Sequence, residues 1–223
     1  MARPLAEFSS LLRTGSSLAE QQEEALFPPL AVPALAPLLK NLPRGGIVEL
    51  TGPRSSGRMA VLLHVLAQAT GRGEVCAVLD THDQFSPASA ASAGVRLQRV
   101  VWVRCQNRPD YTLRAADLLL HAGGFGVVAL DLPEVTAETW NRIPISWWHR
   151  FRRAVEHTPT IVLLCVETTQ ARACSRVSLE LESRSFEWEG ATSFALLDRL
   201  QTLGRLRKPV APRATPLSIL AVR

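Results

Sequence analysis

Short and almost continuous apolar runs alternate with helical stretches from residue 47 onward. Five runs have the length and composition of strands: residues 47–50, 75–79, 100–103, 127–130 and 161–166. Between them lie four predicted helices: residues 59–70, 86–93, 113–122 and 146–156. Strands that are apolar on both faces are typical of a parallel sheet covered by crossover helices. The pattern therefore predicts an α/β domain.

The C-terminal part of the chain follows a different pattern. Val177, Leu179 and Leu181 alternate with polar residues, as expected of a strand with one face in water. We therefore expect an antiparallel extension after the parallel core. An apolar run over residues 217–222 predicts that the chain closes with a strand.

The first forty residues differ from the α/β pattern. Leu5, Phe8 and Leu12 share one helical face, and a capping box formed by Ser17 and Glu20 predicts a second short helix. Prolines then break the helical pattern as far as position 43. We expect a helical arm with a proline-rich linker over residues 1–40, followed by one domain over residues 41–223. The apolar face of the arm is expected to dock on a partner or a second copy, or back on the same chain.

A glycine-rich turn joins the first predicted strand to the first predicted helix. This order of elements matches the phosphate loop, whose pattern is G-x-x-x-x-G-K-[ST]. Gly52 and Gly57 hold the two glycine positions, so backbone amides at the helix N-terminus could still bind an anion. The candidate residues of the turn are Gly52, Pro53, Arg54, Ser55, Ser56, Gly57 and Arg58.

Two side chains of phosphate-loop chemistry are replaced in this turn. Arg58 takes the place of lysine, and its planar guanidinium is bulkier than the ammonium that reaches the phosphates. Met59 takes the place of the hydroxyl, and a thioether is a poor ligand for Mg²⁺. We therefore expect no hydrolysis, no cofactor and no metal site. Three interpretations stay open: a turn kept only for the strand-to-helix corner, residual nucleotide binding, and a divergent ATPase.

The order of these motifs resembles that of RecA-type recombinases. The resemblance is carried by residues 42–50, 52–57 and 77–80, by Pro87, and by Asp131 at the end of a strand. It covers about residues 40–223. It implies a RecA-like three-layer α/β core with a mostly parallel sheet.

Departures from the RecA pattern are equally informative. The family has an essential glutamate two positions after the aspartate of its second strand, whereas this chain has His82 there, with Asp83 beside it. The two long DNA-binding loops of the family shrink here to residues 133–145 and 167–176. An active strand-exchange protein is therefore not expected. A divergent ATPase would need Arg58 to bind phosphate and Asp83 to act as the base.

A shortened RecA-like chain with a replaced phosphate loop, a helical arm and an arginine-rich tail resembles the ImuA family of bacterial mutagenesis accessory proteins. This resemblance implies a non-catalytic adaptor in the SOS response and in translesion DNA synthesis. The implied partner is an ImuB-type inactive homologue of Y-family polymerases, with an error-prone C-family polymerase involved indirectly. RecA and single-stranded DNA are further candidate partners. A SulA-type inhibitor of the cell-division tubulin homologue is an alternative on the same fold.

Basic residues exceed acidic ones, 25 against 20, which permits nucleic-acid contact without requiring it. Residues 199–223 hold six basic and no acidic residues. Candidate contacts to DNA or a partner are Arg199, Arg205, Arg207, Lys208 and Arg213. The resemblance to RecA places part of this run where the family reaches a neighbouring subunit's nucleotide. A solvated tail is the alternative.

Two remaining features favour an ordinary core. Trp147 and Phe151 share one side of a helix whose other side carries arginines, so we expect them to cover the sheet, with base stacking as the alternative. The four cysteines form no C-x-x-C pair and are predicted to be reduced core thiols.

With no signal peptide and no membrane segment in the sequence, a cytoplasmic protein is expected.

Overall fold

The computed structural model describes residues 27–132, 135–189, 196–209 and 214–220. Its strands are β1 (Gly46–Thr51), β2 (Val75–Asp80), β3 (Val100–Arg104), β4 (Phe125–Leu132), β5 (Ile161–Val166), β6 (Ser175–Glu189), β7 (Leu196–Lys208) and β8 (Thr215–Leu220). They form one sheet in the order β3-β2-β4-β5-β1-β6-β7-β8. The first five strands lie where the apolar runs predicted them. Every residue of the central strands β1 and β5 is buried, which explains why these runs are apolar throughout.

Helices connect the strands. They are α1 (Arg58–Gly71), α2 (Pro87–Ser92), α3 (Pro109–Ala122), α4 (Ala137–Arg142) and α5 (Ser146–Val155). The sequence predicted all of these except α4, which lies within the shortened loop expected over residues 133–145. Its N-cap is Thr136, whose hydroxyl accepts a hydrogen bond from the backbone N–H of Thr139. At six residues, α4 is too short to produce a detectable hydrophobic period.

The helices cover both faces of the sheet, and a hydrophobic core lies on each side. On one face, Leu62 of α1 packs in a cluster with Val48 of β1. On the other, Leu113 of α3 and Phe151 of α5 pack in a cluster with Val128 of β4. The predicted three-layer α/β architecture is therefore confirmed.

The sheet changes from parallel to antiparallel pairing at β6. β1 pairs in parallel with both β5 and β6, while β6 pairs with β7, and β7 with β8, in antiparallel orientation. The predicted antiparallel extension is confirmed, with Val177, Leu179 and Leu181 buried. The closing strand begins at Thr215, two residues before the predicted start.

The solvated tail considered for residues 199–223 is wrong where the structure describes it. Residues 196–208 form β7, in which the inward-facing Leu200, Thr202 and Leu206 are buried. Arginines occupy outward positions of the same strand, because alternate side chains of a strand point to opposite faces. The basic run is therefore one face of a strand within the sheet.

The proline-rich segment packs on the domain from Leu30 onward. Leu30, Val32 and Leu35 are buried in the core on the α1 side. Leu30 and Leu42 exchange backbone hydrogen bonds of 2.9 and 2.8 Å. The expected boundary after residue 40 therefore does not separate a linker from the core. Leu5, Phe8 and Leu12 lie outside the described residues.

All four cysteines are free and buried. Burial is the main reason that the pKa of the Cys76 thiol rises to about 12. These thiols therefore belong to the core, as the sequence predicts. Within the described ranges, no helix is long and apolar enough to span a membrane.

Candidate functional site

The glycine-rich turn between β1 and α1 is held in a conformation that requires its glycines. Gly57 has a φ of 97° at the N-cap of α1, in the left-handed region. Gly52 has a φ of 150°, and a Cβ there would lie 2.3 Å from the carbonyl oxygen of Leu181. Thr202 of β7 donates a 2.5 Å hydrogen bond to the carbonyl oxygen of Ser56. The turn is therefore packed tightly against β6 and β7.

A cavity of about 390 Å³ lies at the turn. Its lining combines the turn residues with side chains from four other places in the chain. The lining residues are Arg54, Ser55, Ser56, Gly57, Arg58, Met59, Ala60, Gln84, Asp131, Phe186 and Leu200. Met59 and the last two residues supply apolar walls, whereas Arg58 and Asp131 supply charge.

Three buried polar side chains in this cavity each have one atom without a hydrogen-bond partner. Ser56, Arg58 and Asp131 are 1%, 9% and 5% exposed. Their atoms Oγ, Nη1 and Oδ2 have no hydrogen-bond partner. Unpaired buried polar atoms are costly, so such a group calls for a bound ligand, an ordered water or a functional role.

Burial is the largest influence on the Asp131 carboxyl. It raises the pKa to about 7, and Asp80 adds to the increase, while the positive charge of Arg58 opposes it. The carboxyl therefore exchanges its proton near neutral pH. A half-protonated carboxyl with an unpaired cation nearby can accept or donate a hydrogen bond, but it is a weak ligand for a hard divalent cation.

Neither Asp80, at the end of β2, nor the predicted position Asp83 lines this cavity. Asp80 accepts hydrogen bonds from the backbone N–H groups of Gln84 and Phe85 and from Nε1 of Trp102, all at 3.0 to 3.1 Å. Asp83 is exposed and forms an ion pair of 2.8 Å with Arg104, which holds the pKa of its carboxyl below the usual value. Of the three predicted positions His82, Asp83 and Asp131, only Asp131 lines the cavity.

His82 occupies the position of the family's essential glutamate. Its ring is half-buried, and Nδ1 is buried without a hydrogen-bond partner. An imidazole at this place carries no fixed negative charge, so it cannot replace a carboxylate as an anionic base. The structure describes no group of three or more His, Cys, Asp or Glu side chains placed to hold a metal ion.

The predicted basic strip is neutralised by glutamates along most of its length. Arg207 donates a 2.8 Å hydrogen bond to Glu180, and Arg205 lies 3.4 Å from the same carboxylate. Arg199 lies 3.6 Å from Glu187. These pairs leave little uncompensated charge on the outer face of β7.

Lys208 makes different contacts from the other basic residues of the predicted strip. Its ammonium donates hydrogen bonds to the carbonyl oxygens of Ala173 and Ser175, at the start of β6. Arg213 lies outside the described residues. The predicted strip is therefore not one contact surface in the structure.

The aromatic residues of α5 pack in the core. Trp148 and Phe151 are buried, and Trp147 is partly buried, with its ring centroid 5.7 Å from that of Phe151. On the outer side of the helix, Arg150 forms a bidentate ion pair with Asp117 of α3, at 2.5 and 2.8 Å. The core-packing interpretation is confirmed.

Two carboxylates of structural importance, the partly exposed Glu74 and the buried Glu49, were missed in the sequence. Glu74 forms a bidentate pair with Arg44, at 2.6 and 2.9 Å, and the side chain of Arg44 is only 5% exposed. Glu49 of β1 accepts hydrogen bonds from the backbone N–H groups of Gln170 and Ala171, and burial raises its pKa. Glu49 thereby fixes the loop between β5 and β6.

Comparisons with known proteins agree with the architecture. Residues 30–139 match the RecA N-terminal domain. Protein RecA of Rickettsia massiliae is 32% identical over 91 residues, which are 41% of this chain and 26% of that protein. Protein RecA of Rhodospirillum rubrum is 39% identical over 91 residues, 41% of this chain and 25% of that protein. Protein RecA of Blastochloris viridis is 32% identical over 122 residues, 55% of this chain and 35% of that protein. The matches span about a quarter to a third of these relatives, and the fold of this chain is RecA-like.

Proposed function

We propose that this RecA-like protein is a non-hydrolysing adaptor in damage-induced mutagenesis and translesion DNA synthesis, of the kind formed by the ImuA family. The observation that carries the proposal is the buried pair Arg58 and Asp131 in the cavity of the glycine turn, where Nη1 and Oδ2 have no hydrogen-bond partner. This pair occupies the place where a phosphate-loop enzyme positions a nucleotide and its metal ion.

The side chains of the turn fit magnesium ATP poorly. Phosphoryl transfer depends on a cation at the β- and γ-phosphates and on a hydroxyl and a carboxylate that place Mg²⁺. Arg58 is buried and interacts electrostatically with Asp131, so part of its charge is compensated by a carboxyl of the same chain. Met59 offers a soft thioether at the hydroxyl position, and Mg²⁺ prefers oxygen ligands. We expect these replacements to remove the electrostatic stabilisation of the transition state on which hydrolysis depends.

The same turn has a structural use that does not need a nucleotide. It is held by the hydrogen bond from the Thr202 hydroxyl to Ser56 and by a 3.2 Å hydrogen bond from the Gly52 N–H to the carbonyl oxygen of Glu167. These contacts join β1, α1, β7 and the segment after β5. A RecA-like scaffold of this kind supports an interaction surface without catalysis.

The ImuB-type inactive Y-family polymerase homologue is the partner we propose, and an error-prone C-family polymerase would join through it. RecA is the second partner, because a chain with the same fold as a filament subunit has the shape needed to join or cap a filament. This assignment rests on the resemblance of the sequence to the ImuA family and on the RecA-like fold.

Isothermal titration calorimetry of the purified protein tests the proposal. Titration with magnesium ATP is expected to give no binding heat, whereas titration with a purified ImuB-type protein is expected to give saturable binding. Arg58→Ala should leave the second titration unchanged. Micromolar binding of ATP that Arg58→Ala removes would instead favour a nucleotide-binding protein, and Asp83→Asn would then test whether Asp83 acts as a base.

A polymerisation assay separates the adaptor from the SulA-type alternative. The protein is expected to leave polymerisation of the cell-division tubulin homologue unchanged at concentrations that saturate the ImuB-type protein. Stoichiometric inhibition of polymerisation would favour the alternative.

A further inference from the structure

A second cleft lies at the amino ends of the parallel strands, whereas the glycine turn lies at their carboxyl ends. It has a volume of about 360 Å³ and lies where β1 and β6 begin. The lining residues are Gly45, Gly46, Arg152, Glu156, His157, Ala173, Cys174, Ser175, Arg176 and Lys208. No motif in the sequence marks this cleft, because its residues come from five separate segments.

The cleft concentrates positive charge. Arg152 comes from the last turn of α5, Arg176 from the start of β6, and Lys208 from the end of β7. Among the described residues of the lining, Glu156 is the single acidic one. Among the described lining residues, three permanent cations therefore accompany one carboxylate, an excess of two positive charges.

Two of these cations are fixed in place before any ligand binds. Lys208 is held by its hydrogen bonds to the carbonyl oxygens of Ala173 and Ser175. Arg176 donates a 2.9 Å hydrogen bond to the carbonyl oxygen of Arg44. A Cβ at Gly46 would lie 3.1 Å from Cβ and Cδ of Arg176, so the glycine makes room for the arginine side chain. Cations that are already oriented lose little freedom when an anion binds.

Arg152 completes the arrangement as the exposed cation. Its side chain lies on the surface, and its guanidinium forms no hydrogen bond or ion pair within the part of the chain that the structure describes. Arg205 and Arg207 differ from it, because both lie beside the carboxylate of Glu180. The cleft therefore offers an uncompensated cation where the outer face of β7 does not.

We propose that this cleft binds a phosphate group. Two excess positive charges match a phosphate, which carries up to two negative charges near neutral pH, and guanidinium groups match its oxygens with paired N–H donors. A carboxylate carries a single negative charge and would leave one of the two excess positive charges uncompensated. The group can belong to a free phosphorylated compound or to the backbone of a single-stranded nucleic acid. This site is separate from the glycine turn and goes beyond the adaptor function proposed above.

Two variants with equal charge change test the site. Arg152→Gln with Lys208→Gln removes two cations from the cleft, whereas Arg205→Gln with Arg207→Gln removes two from the outer face of β7. Arg152→Gln alone serves as the version expected to disturb folding least, because Arg152 is exposed and its guanidinium has no partner among the described residues. Circular dichroism melting confirms that each variant is folded.

Calorimetry with inorganic phosphate and fluorescence anisotropy with a labelled single-stranded oligonucleotide distinguish the two sources. The cleft variant is expected to bind at least one of the probes about tenfold more weakly, with Arg152→Gln intermediate and the β7 variant within twofold of the wild type. Loss confined to phosphate identifies a free phosphorylated ligand. Loss of oligonucleotide binding identifies backbone phosphates, and the slope of log K against log salt should then fall by about 1.4, since each contact to a single strand contributes about 0.7.

Two results overturn the proposal. One is that the wild type binds neither probe, and the other is that the cleft and β7 variants lose affinity equally. Neither result touches the binding of the ImuB-type protein, which is measured separately, so failure of this site and failure of the adaptor function are distinguishable.

Discussion

Arg58 and Asp131 are buried in one cavity, and Nη1 of the arginine and Oδ2 of the aspartate both lack a hydrogen-bond partner. Their interaction is electrostatic: the guanidinium lowers the pKa of the carboxyl, but burial raises it by more. Arg58, which replaces the phosphate-loop lysine, therefore interacts with a carboxyl that is only partly ionised at neutral pH.

Asp131→Asn should change how stability depends on pH. The carboxyl has a pKa of 3.8 in the unfolded chain and about 7 in the folded one, so the unfolded state releases its proton first as pH rises. The free energy of unfolding of the wild type should therefore fall by roughly 1 kcal/mol per pH unit between about pH 4 and pH 7, from this group alone. Urea denaturation of both proteins at several pH values measures the difference. Parallel curves for the two proteins would contradict the raised pKa.

Gly52→Ala should destabilise the protein even though no nucleotide is involved. The new Cβ would meet the carbonyl oxygen of Leu181 at 2.3 Å, and the positive φ adds strain, so a loss of about 2–4 kcal/mol is expected. The control is Gly71→Ala at the end of α1, where a Cβ meets no atom within 4 Å. That change should be neutral or stabilising by up to about 1 kcal/mol. Equal effects in thermal denaturation would show that packing does not explain the glycine in the turn.

Glu74→Gln should be far more damaging than the same change in an exposed ion pair. It removes the charged partner of Arg44, whose side chain is 5% exposed, and a loss of about 3 kcal/mol is expected. Glu138→Gln is the matched control, because Glu138 and its partner Arg142 are both 76% exposed, and it should cost less than about 1 kcal/mol. The midpoints of urea denaturation give both values, and similar midpoints would contradict the difference in burial.

Phe151→Ala should show that α5 is a structural helix. Phe151 is fully buried between Trp147 and Trp148, with ring centroids 5.7 and 5.8 Å away. Its truncation should cost about 3–5 kcal/mol. Arg153→Ala on the exposed side of the same helix should cost under about 0.5 kcal/mol. Both values come from chemical denaturation, and a nearly neutral Phe151→Ala would refute the core-packing interpretation.

The parallel core could be predicted because its pattern is local. Strands β1 and β5 are buried on both faces, so each is a continuous apolar run that needs no knowledge of its neighbours. Strand β7 was missed, because Gly204 and the arginines on its outer face obscure the alternation of Leu200 and Leu206. The glutamates that pair with those arginines lie on β6, and only the folded register brings them together.

The candidate site could be predicted only in part. Gly52, Gly57 and Arg58 were found because they are contiguous with a strand and a helix. Phe186 lines the same cavity but was missed, because it lies far along β6, which runs to Glu189, well past the alternating residues 177–182. Contacts of this kind between distant segments leave no local pattern.

Magnesium-dependent ATP hydrolysis is the measurement that tests the central claim most directly. Wild type and Asp131→Asn are purified in parallel and assayed at the same concentration, with and without single-stranded DNA. We predict that both show only the background rate, because the phosphate-loop lysine, the hydroxyl after it and the glutamate that follows the second strand are replaced by Arg58, Met59 and His82. Turnover by the wild type that requires Mg²⁺ and is lost in Asp131→Asn would contradict the non-hydrolysing adaptor.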